Sequence, residues 1–343
     1  VALPKNPRPQ RFRAAAGYLI ACACLVWVFH NIRWGELFRN AGSINWWWVA
    51  AAVVCDVLSY LCQGVRWRLL LDATGPIPAW RTTQAIYAGL FVNEILPLRT
   101  GELVRAYLAS RWLGARLSAV VPSILAERFF DAIWLTVAVG SAAFFVPLPK
   151  YLLEAEDVLA IGVLAAAGGF VYVAFRGRPS VLEVTSGAAI RGARRGKMSH
   201  LLRSVSCGLH QIGRSASFYA SFAVSALVLV FQILAFWLVM LAYGLKLPVW
   251  VGAVVLLMIH LGTAIPAAPS NVGTYQFFCV VGLTLFGVDK TLATGFSVVV
   301  FLVLTFPLWA IGSVAFVQAG LSIRQMSKEF GAISGWVQDG DPG

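Results

Sequence analysis

The chain has 343 residues, 59% of them hydrophobic and only 12% charged, where soluble domains carry about 25% charged residues. With a mean hydropathy of +0.77, this excludes an ordinary soluble domain and indicates an all-α polytopic membrane protein. The formal net charge of +12 does not point to nucleic acid, because the cations fall between apolar stretches and no basic, aromatic-rich soluble module accompanies them.

The first apolar stretch, residues 14–30, follows Lys5, Arg8, Arg11 and Arg13. That charge pattern resembles a signal peptide. No small-residue cleavage pattern follows it, so it is read as a first span. Trp46-Trp47-Trp48 opens a second span over 46–65, as suits tryptophans at a membrane interface. Asp56 is a lone carboxylate near the middle of that span. Burial favours its neutral form, which makes it a candidate for proton coupling; pairing with a cation is the alternative. Arg66 and Arg68 are expected to snorkel to headgroups at the end of the same helix.

Pro78-Ala79-Trp80 opens the next apolar segment, 82–98, which Pro97 and Gly101 break. Lipid cannot satisfy the backbone groups such a break frees, so the segment must be covered by protein or line a wet cavity. Further spans are expected over 119–145, 155–175, 218–243 and 291–317, each near the roughly 20 residues that cross the hydrocarbon. Between the last two lies a second broken region, 249–286, opened by Pro248-Val249-Trp250 and interrupted at Pro266, Pro269 and Gly273. Both broken regions are read as re-entrant hairpins, which gives six full spans and two hairpins. The two units, about 46–145 and 218–317, start three spans apart and point opposite ways. This is an inverted repeat, the plan of many secondary transporters.

One transmembrane domain thus covers 1–320, with a basic loop at 176–217 and a tail at 321–343 that is expected to be partly disordered. With the N-terminus inside, the inner segments hold 21 of the 27 Lys/Arg and the outer ones 5. That bias places both termini in the cytoplasm. Residues 176–217 hold eight cations against Glu183 alone, so this loop is expected to lie on anionic headgroups. The cysteines, Cys22, Cys24, Cys55, Cys62, Cys207 and Cys279, have no metal-ligand spacing and read as small apolar fillers. No metal or cofactor is expected. A lone His260 in an apolar arm reads as a packing residue.

Intramembrane charge marks the candidate site, because charges at membrane depth are costly and tend to be functional. The first break carries Glu94, Arg99, Glu102 and Arg105. Thr100 is expected to cap a helix starting at Gly101, whose free N–H groups with Arg99 and Arg105 suit a phosphate. Glu127, Arg128 and Asp131 lie roughly 12–18 Å into the following span. Glu127 and Asp131 share a face, and Arg128 can pair with Asp131. Arg99, Arg105 and Glu102 are their natural partners. A buried network that fixes helix packing and a direct substrate role both remain open. The second break offers an uncharged helix start at Ser270-Asn271-Val272-Gly273.

Three motifs in order resemble one known family: the run Asn93 to Leu108, Glu127-Arg128-x-x-Asp131, and Pro269-x-x-x-Gly273 followed by Leu285-Phe286-Gly287-Val288. It is the flippase-like transmembrane family that includes the membrane region of lysylphosphatidylglycerol synthases. The resemblance runs from about residue 14 to 320. It implies a helical bundle with re-entrant helices that moves an aminoacylated phospholipid or another lipid-linked group between leaflets. Where members often carry Gly-Gly after the proline, Ser270-Asn271 stand here, and Tyr275-Gln276 replace a common Arg-Glu. No aminoacyl-transferase domain is expected after residue 320, so lipid aminoacylation is not.

The resulting expectation is a cytoplasmic-membrane lipid flippase, not an enzyme. Its substrate would be held by Glu94, Arg99, Glu102, Arg105, Glu127, Arg128, Asp131, Asn271 and Gln276. Homo-oligomerisation stays open. The alternatives are a membrane enzyme using a polyprenyl-phosphate or phospholipid donor, and an accessory subunit of an envelope-synthesis complex.

Overall fold

The computed structural model describes residues 8–96, 100–143, 162, 216–263 and 268–320. Arg99, nearly all of the expected span 155–175, residues 176–215 of the basic loop and the tail fall outside them.

Every regular element among the described residues is helical. Helix α1 is Arg8–Phe29, and a short α2, Trp34–Gly42, follows a left-handed Asn31 at φ 60°. Helix α3, Trp46–Leu71, starts where the Asn45 side chain accepts the Trp47 N–H, a side-chain cap on an otherwise orphan donor. The chain then turns through Gly75 and Pro78 into α4, Ala79–Ile95. Helix α5, Gly101–Leu113, stops at a left-handed Gly114, φ 62°, as helices commonly do. Helix α6, Leu117–Ala143, keeps Pro122 in its second turn. Beyond the undescribed region come α7, Ala216–Ala242, and α8, Val249–Gly262. A single 3-10 turn, Pro269–Asn271, leads to α9, Thr274–Leu285, and the final helix α10 is Lys290–Gln318.

Helices α3, α7 and α10 are long and apolar enough to cross a membrane, and Ala16–Phe29 and Val249–Gly262 form shorter apolar segments. Helix α6 is as long, with 27 residues, and carries the Glu127-Arg128-x-x-Asp131 motif. The chain is an integral membrane protein. Helix α3 extends six residues past the expected span end at 65, to Leu71, and so carries Arg66 and Arg68 in its last turns, at the helix end where they were expected. Helix α2 is an addition to the expected elements, since nine residues with Glu36, Arg39 and Asn40 give no span signal.

Two apolar cores organise the bundle. One gathers Trp67, Ile86, Val104, Leu108 and Phe316; the other gathers Val28, Phe236, Val255, Cys279 and Phe296. Helices α3 and α10 run through both. Helix α3 packs most extensively on α7, with α4 against α10 and α8 against α6. Small residues permit close approach where lipid gives no hydrophobic drive. At the first break, a Cβ on Gly101 would lie 1.8 Å from the Gly89 carbonyl oxygen, so only glycine lets α5 fold back on α4. At the second break, Ser270 and Asn271 both hold left-handed backbone, φ 55° and 52°.

Candidate functional site

The site is built where α3, α5 and α6 meet. Glu127 of α6 lies in the buried interior and accepts from two guanidiniums at once: Arg66 Nη2 at 2.7 Å and Arg105 Nη2 at 2.6 Å. All three side chains are at most 4% exposed. A carboxylate removed from water is tolerable only when its lone pairs are met, and two forks meet them here. Arg66 also pairs with Asp131 and reaches Ser225 Oγ of α7 at 3.3 Å. Arg105 lies over the Trp67 ring, 4.5 Å from its centroid, and Trp67 in turn donates its indole N–H to Ser123 Oγ. A cation over a desolvated tryptophan face adds to the hold.

The network continues outward. Asp131 meets Arg128 at 3.6 Å, and Arg128 binds Glu102 at 2.6 Å. Charges therefore alternate along Arg105, Glu127, Arg66, Asp131, Arg128 and Glu102, and they cancel. Exposure separates the two halves of this line: Arg105, Glu127 and Arg66 are at most 4% exposed, whereas Asp131 is 38% exposed, Arg128 46% and Glu102 29%. The inner half is closed to solvent, and the Nε of Arg66 and of Arg105 find no hydrogen-bond partner among the described residues. The outer half is reachable.

This arrangement corrects one expectation. Arg66 does not snorkel; it is the hub of the network, while Arg68 is exposed. Its signal was present as a face: Asp56, Ser59, Arg66 and Leu70 fall at helical spacing and are all buried. The pairing of Glu127 with Arg105 was legible from the motifs. Arg128 finds both Glu102 and Asp131.

The capping expectation at Gly101 is also corrected. Thr100 makes no cap bond; Asn93 Oδ1 accepts the Gly101 N–H instead, at 2.7 Å. Asn93 sits eight residues upstream and bridges the break because α4 and α5 touch at Gly89 and Gly101. At the second break the Gly273 N–H is taken by the Gln276 side chain at 2.7 Å, and the Gly273 backbone lies against Ala21 of α1. Gln276 is thus a local cap. Asn271 is partly buried, and its carbonyl accepts from Thr274.

The two breaks touch. Ser270 Oγ donates to the Glu94 carbonyl at 3.0 Å, and the Trp309 indole of α10 reaches the Glu94 carboxylate at 3.3 Å. Glu94 belongs to this junction and, among the described residues, not to the ion network. Asp56 lies elsewhere again, buried on α3.

Long apolar helices, two broken segments and a buried charge network are those of a polytopic membrane protein. The chain belongs to the family described as the lysylphosphatidylglycerol synthase TM region, whose profile matches residues 14–312. It is similar to glycosyltransferase AglD of Haloferax volcanii, 28% identical over 190 residues, which is 55% of this chain and 30% of that protein. It is also similar to a UPF0104 membrane protein of Methanothermobacter thermautotrophicus, 21% identical over 325 residues, covering 90% of this chain and 95% of that protein. The chain thus spans less than a third of the first relative and nearly all of the second.

Proposed function

We propose that this chain is a lipid flippase of the cytoplasmic membrane, moving a phospholipid or other lipid-linked headgroup between leaflets. One observation carries the reading: the reachable Arg128–Glu102 pair is continuous with a sealed Arg66–Glu127–Arg105 anchor beside a broken helix. A headgroup bearing phosphate would exchange with Glu102 for Arg128, with Arg99 as a second cation. A headgroup bearing an amine would exchange with Arg128 for Glu102 or Asp131. Arg105, already held by Glu127 and Trp67, positions α5 rather than gripping substrate. Glu94, Asn271 and Gln276 shape the junction past which the headgroup moves.

The finer architecture belongs to this reading. Helices α4 and α5 have 17 and 13 residues, and α8 and α9 have 14 and 12. At 1.5 Å per residue none spans the roughly 30 Å of hydrocarbon, which supports re-entrant hairpins. Helices α4 and α8 each reach the last long helix of the other unit, α4 broadly on α10 and α8 more lightly on α6, and α3 packs on its counterpart α7; these contacts support an inverted repeat. The positive-inside bias supports cytoplasmic termini, and the basic loop would rest on anionic lipids.

The test is a leaflet-accessibility assay in liposomes carrying trace fluorescent phospholipids, with dithionite bleaching the outer leaflet. Bleaching past half that is lost in Arg128→Ala and Arg99→Ala supports translocation. Bleaching that stops at half for every headgroup, with folded protein, removes it. The Haloferax relative is a glycosyltransferase by name, which favours a second reading, glycosyl transfer by a membrane enzyme, for which we take a polyprenyl-phosphate or phospholipid as the donor. New product from a labelled donor in detergent would establish that reading, because a flippase forms no covalent bond.

A further inference from the structure

Asp56 stands apart from the ion network. It lies about 15 Å along α3 from Trp46 and is 5% exposed. Its Oδ2 has no hydrogen-bond partner among the described residues, and neither has the hydroxyl of Tyr87, itself 3% exposed. Three tyrosines from three helices lie near enough to feel the Asp56 charge: Tyr60 one turn on in α3, Tyr87 of α4 and Tyr275 of α9. The Tyr60 and Tyr87 rings are 5.3 Å apart.

The other titratable groups leave the position uncompensated. On α3 itself there is Cys55, a neighbour of Asp56. On α4 there is Glu94, which acts on Tyr60, and on α9 Cys279, which acts on Tyr275. On α6 the charged residues are engaged with Arg66, Arg105 and Glu102. On α7 Tyr219 is exposed, and on α10 Lys290 binds carbonyls of α1 and its following turn. Among the described residues, no cation pairs with Asp56. A bare buried carboxylate is costly in such surroundings. A carboxylate oxygen and phenol oxygens from separate helices are hard oxygen donors, which suit a small, hard cation.

We propose that Asp56, with Tyr60, Tyr87 and Tyr275, forms a site for one exchangeable monovalent cation, a proton or Na+. The site stands on the burial of Asp56 and Tyr87, their two unpartnered oxygens and the 5.3 Å approach of the Tyr60 and Tyr87 rings. Its use in driving lipid movement rests on the flippase reading. Such use fits its place: Tyr60 and Tyr87 belong to the first repeat unit and Tyr275 to the second, so occupancy can bias how the units meet.

Two measurements test it. Full-length protein in vesicles is treated with dicyclohexylcarbodiimide, which modifies carboxyls protonated in apolar surroundings, across a pH series in choline chloride or NaCl. Peptide mapping should find the modification on Asp56, falling as pH rises, and absent in Asp56→Asn. Protection by Na+ but not choline assigns Na+; equal modification in both salts assigns the proton. No modification of Asp56 at any pH, in the wild type or in Tyr87→Phe, overturns the site. In the dithionite assay, an imposed gradient of the assigned cation should speed transfer at least threefold in the wild type, and Asp56→Asn should lose that response. Modified Asp56 without lipid transfer counts against the lipid reading alone. Transfer without modification counts against the cation site alone.

Discussion

Glu127 of α6 and Arg66 of α3 form an ion pair of 2.7 Å across 61 residues of sequence, with both side chains sealed from solvent. Replacing such a pair with apolar residues is often neutral, but removing one partner strands the other. Arg66→Ala should therefore destabilise the protein by about 3–5 kcal/mol. Its melting temperature in detergent should fall by roughly 10 °C. Arg66→Lys should recover little, because one ammonium cannot serve Glu127, Asp131 and Ser225 in fork geometry.

The outer pair behaves differently. Arg128 and Glu102 are partly exposed, and such pairs contribute about 1 kcal/mol or less. Arg128→Ala should melt within a few degrees of the wild type yet slow headgroup transfer at least tenfold. A variant that folds and transfers normally would take Arg128 out of the headgroup path.

Backbone contact at the first break can be probed with one methyl group. A Cβ at Gly101 would sit 1.8 Å from the Gly89 oxygen, whereas one at Gly35 meets nothing within 4 Å. Gly101→Ala should cost about 3 kcal/mol or more through forced backbone movement. Gly35→Ala, inside α2, should stabilise slightly through helix propensity. Paired thermal melts of the two variants check the contrast.

Acid should loosen the end of α10 that faces α2. Burial nudges the Asp289 carboxyl up. The backbone N–H groups of Thr291 and Leu292 and the Arg33 guanidinium outweigh it and hold the carboxyl below its ordinary range. A carboxyl depressed in the folded state adds stability above its unfolded value, about 3.9. That stability is lost as pH falls through the lower folded value. Wild-type melting should thus fall more steeply below about pH 4 than that of Asp289→Asn, which still caps α10. Parallel curves for the two proteins would exclude the effect.

Much of this molecule was readable in its sequence, for local reasons. The Pro and Gly positions mark both breaks, since they act on their own backbone. Glu127, Arg128 and Asp131 announce themselves by their cost at membrane depth. Arg66 was misread because an arginine at the end of an apolar helix looks the same whether it reaches water or a partner. Only α6, 61 residues away, decides. Thr100 was credited with a cap that Asn93 makes, because residue type favours threonine while the close approach of Gly89 and Gly101 delivers the asparagine. The short α2 carries no signal that periodicity over a span can detect.

The contact between Ser270 and Glu94 has a mechanical side. It joins the tips of the two broken regions through one neutral hydrogen bond, worth about 1 kcal/mol net, with the Trp309 indole as a second tether. The Arg66–Glu127–Arg105 knot binds α3, α5 and α6 far more firmly. The molecule thus has a stiff joint and a loose one, and they lie on different seams. Removing the Ser270 hydroxyl would therefore cut the polar tie between the two breaks and leave the knot of α3, α5 and α6 untouched.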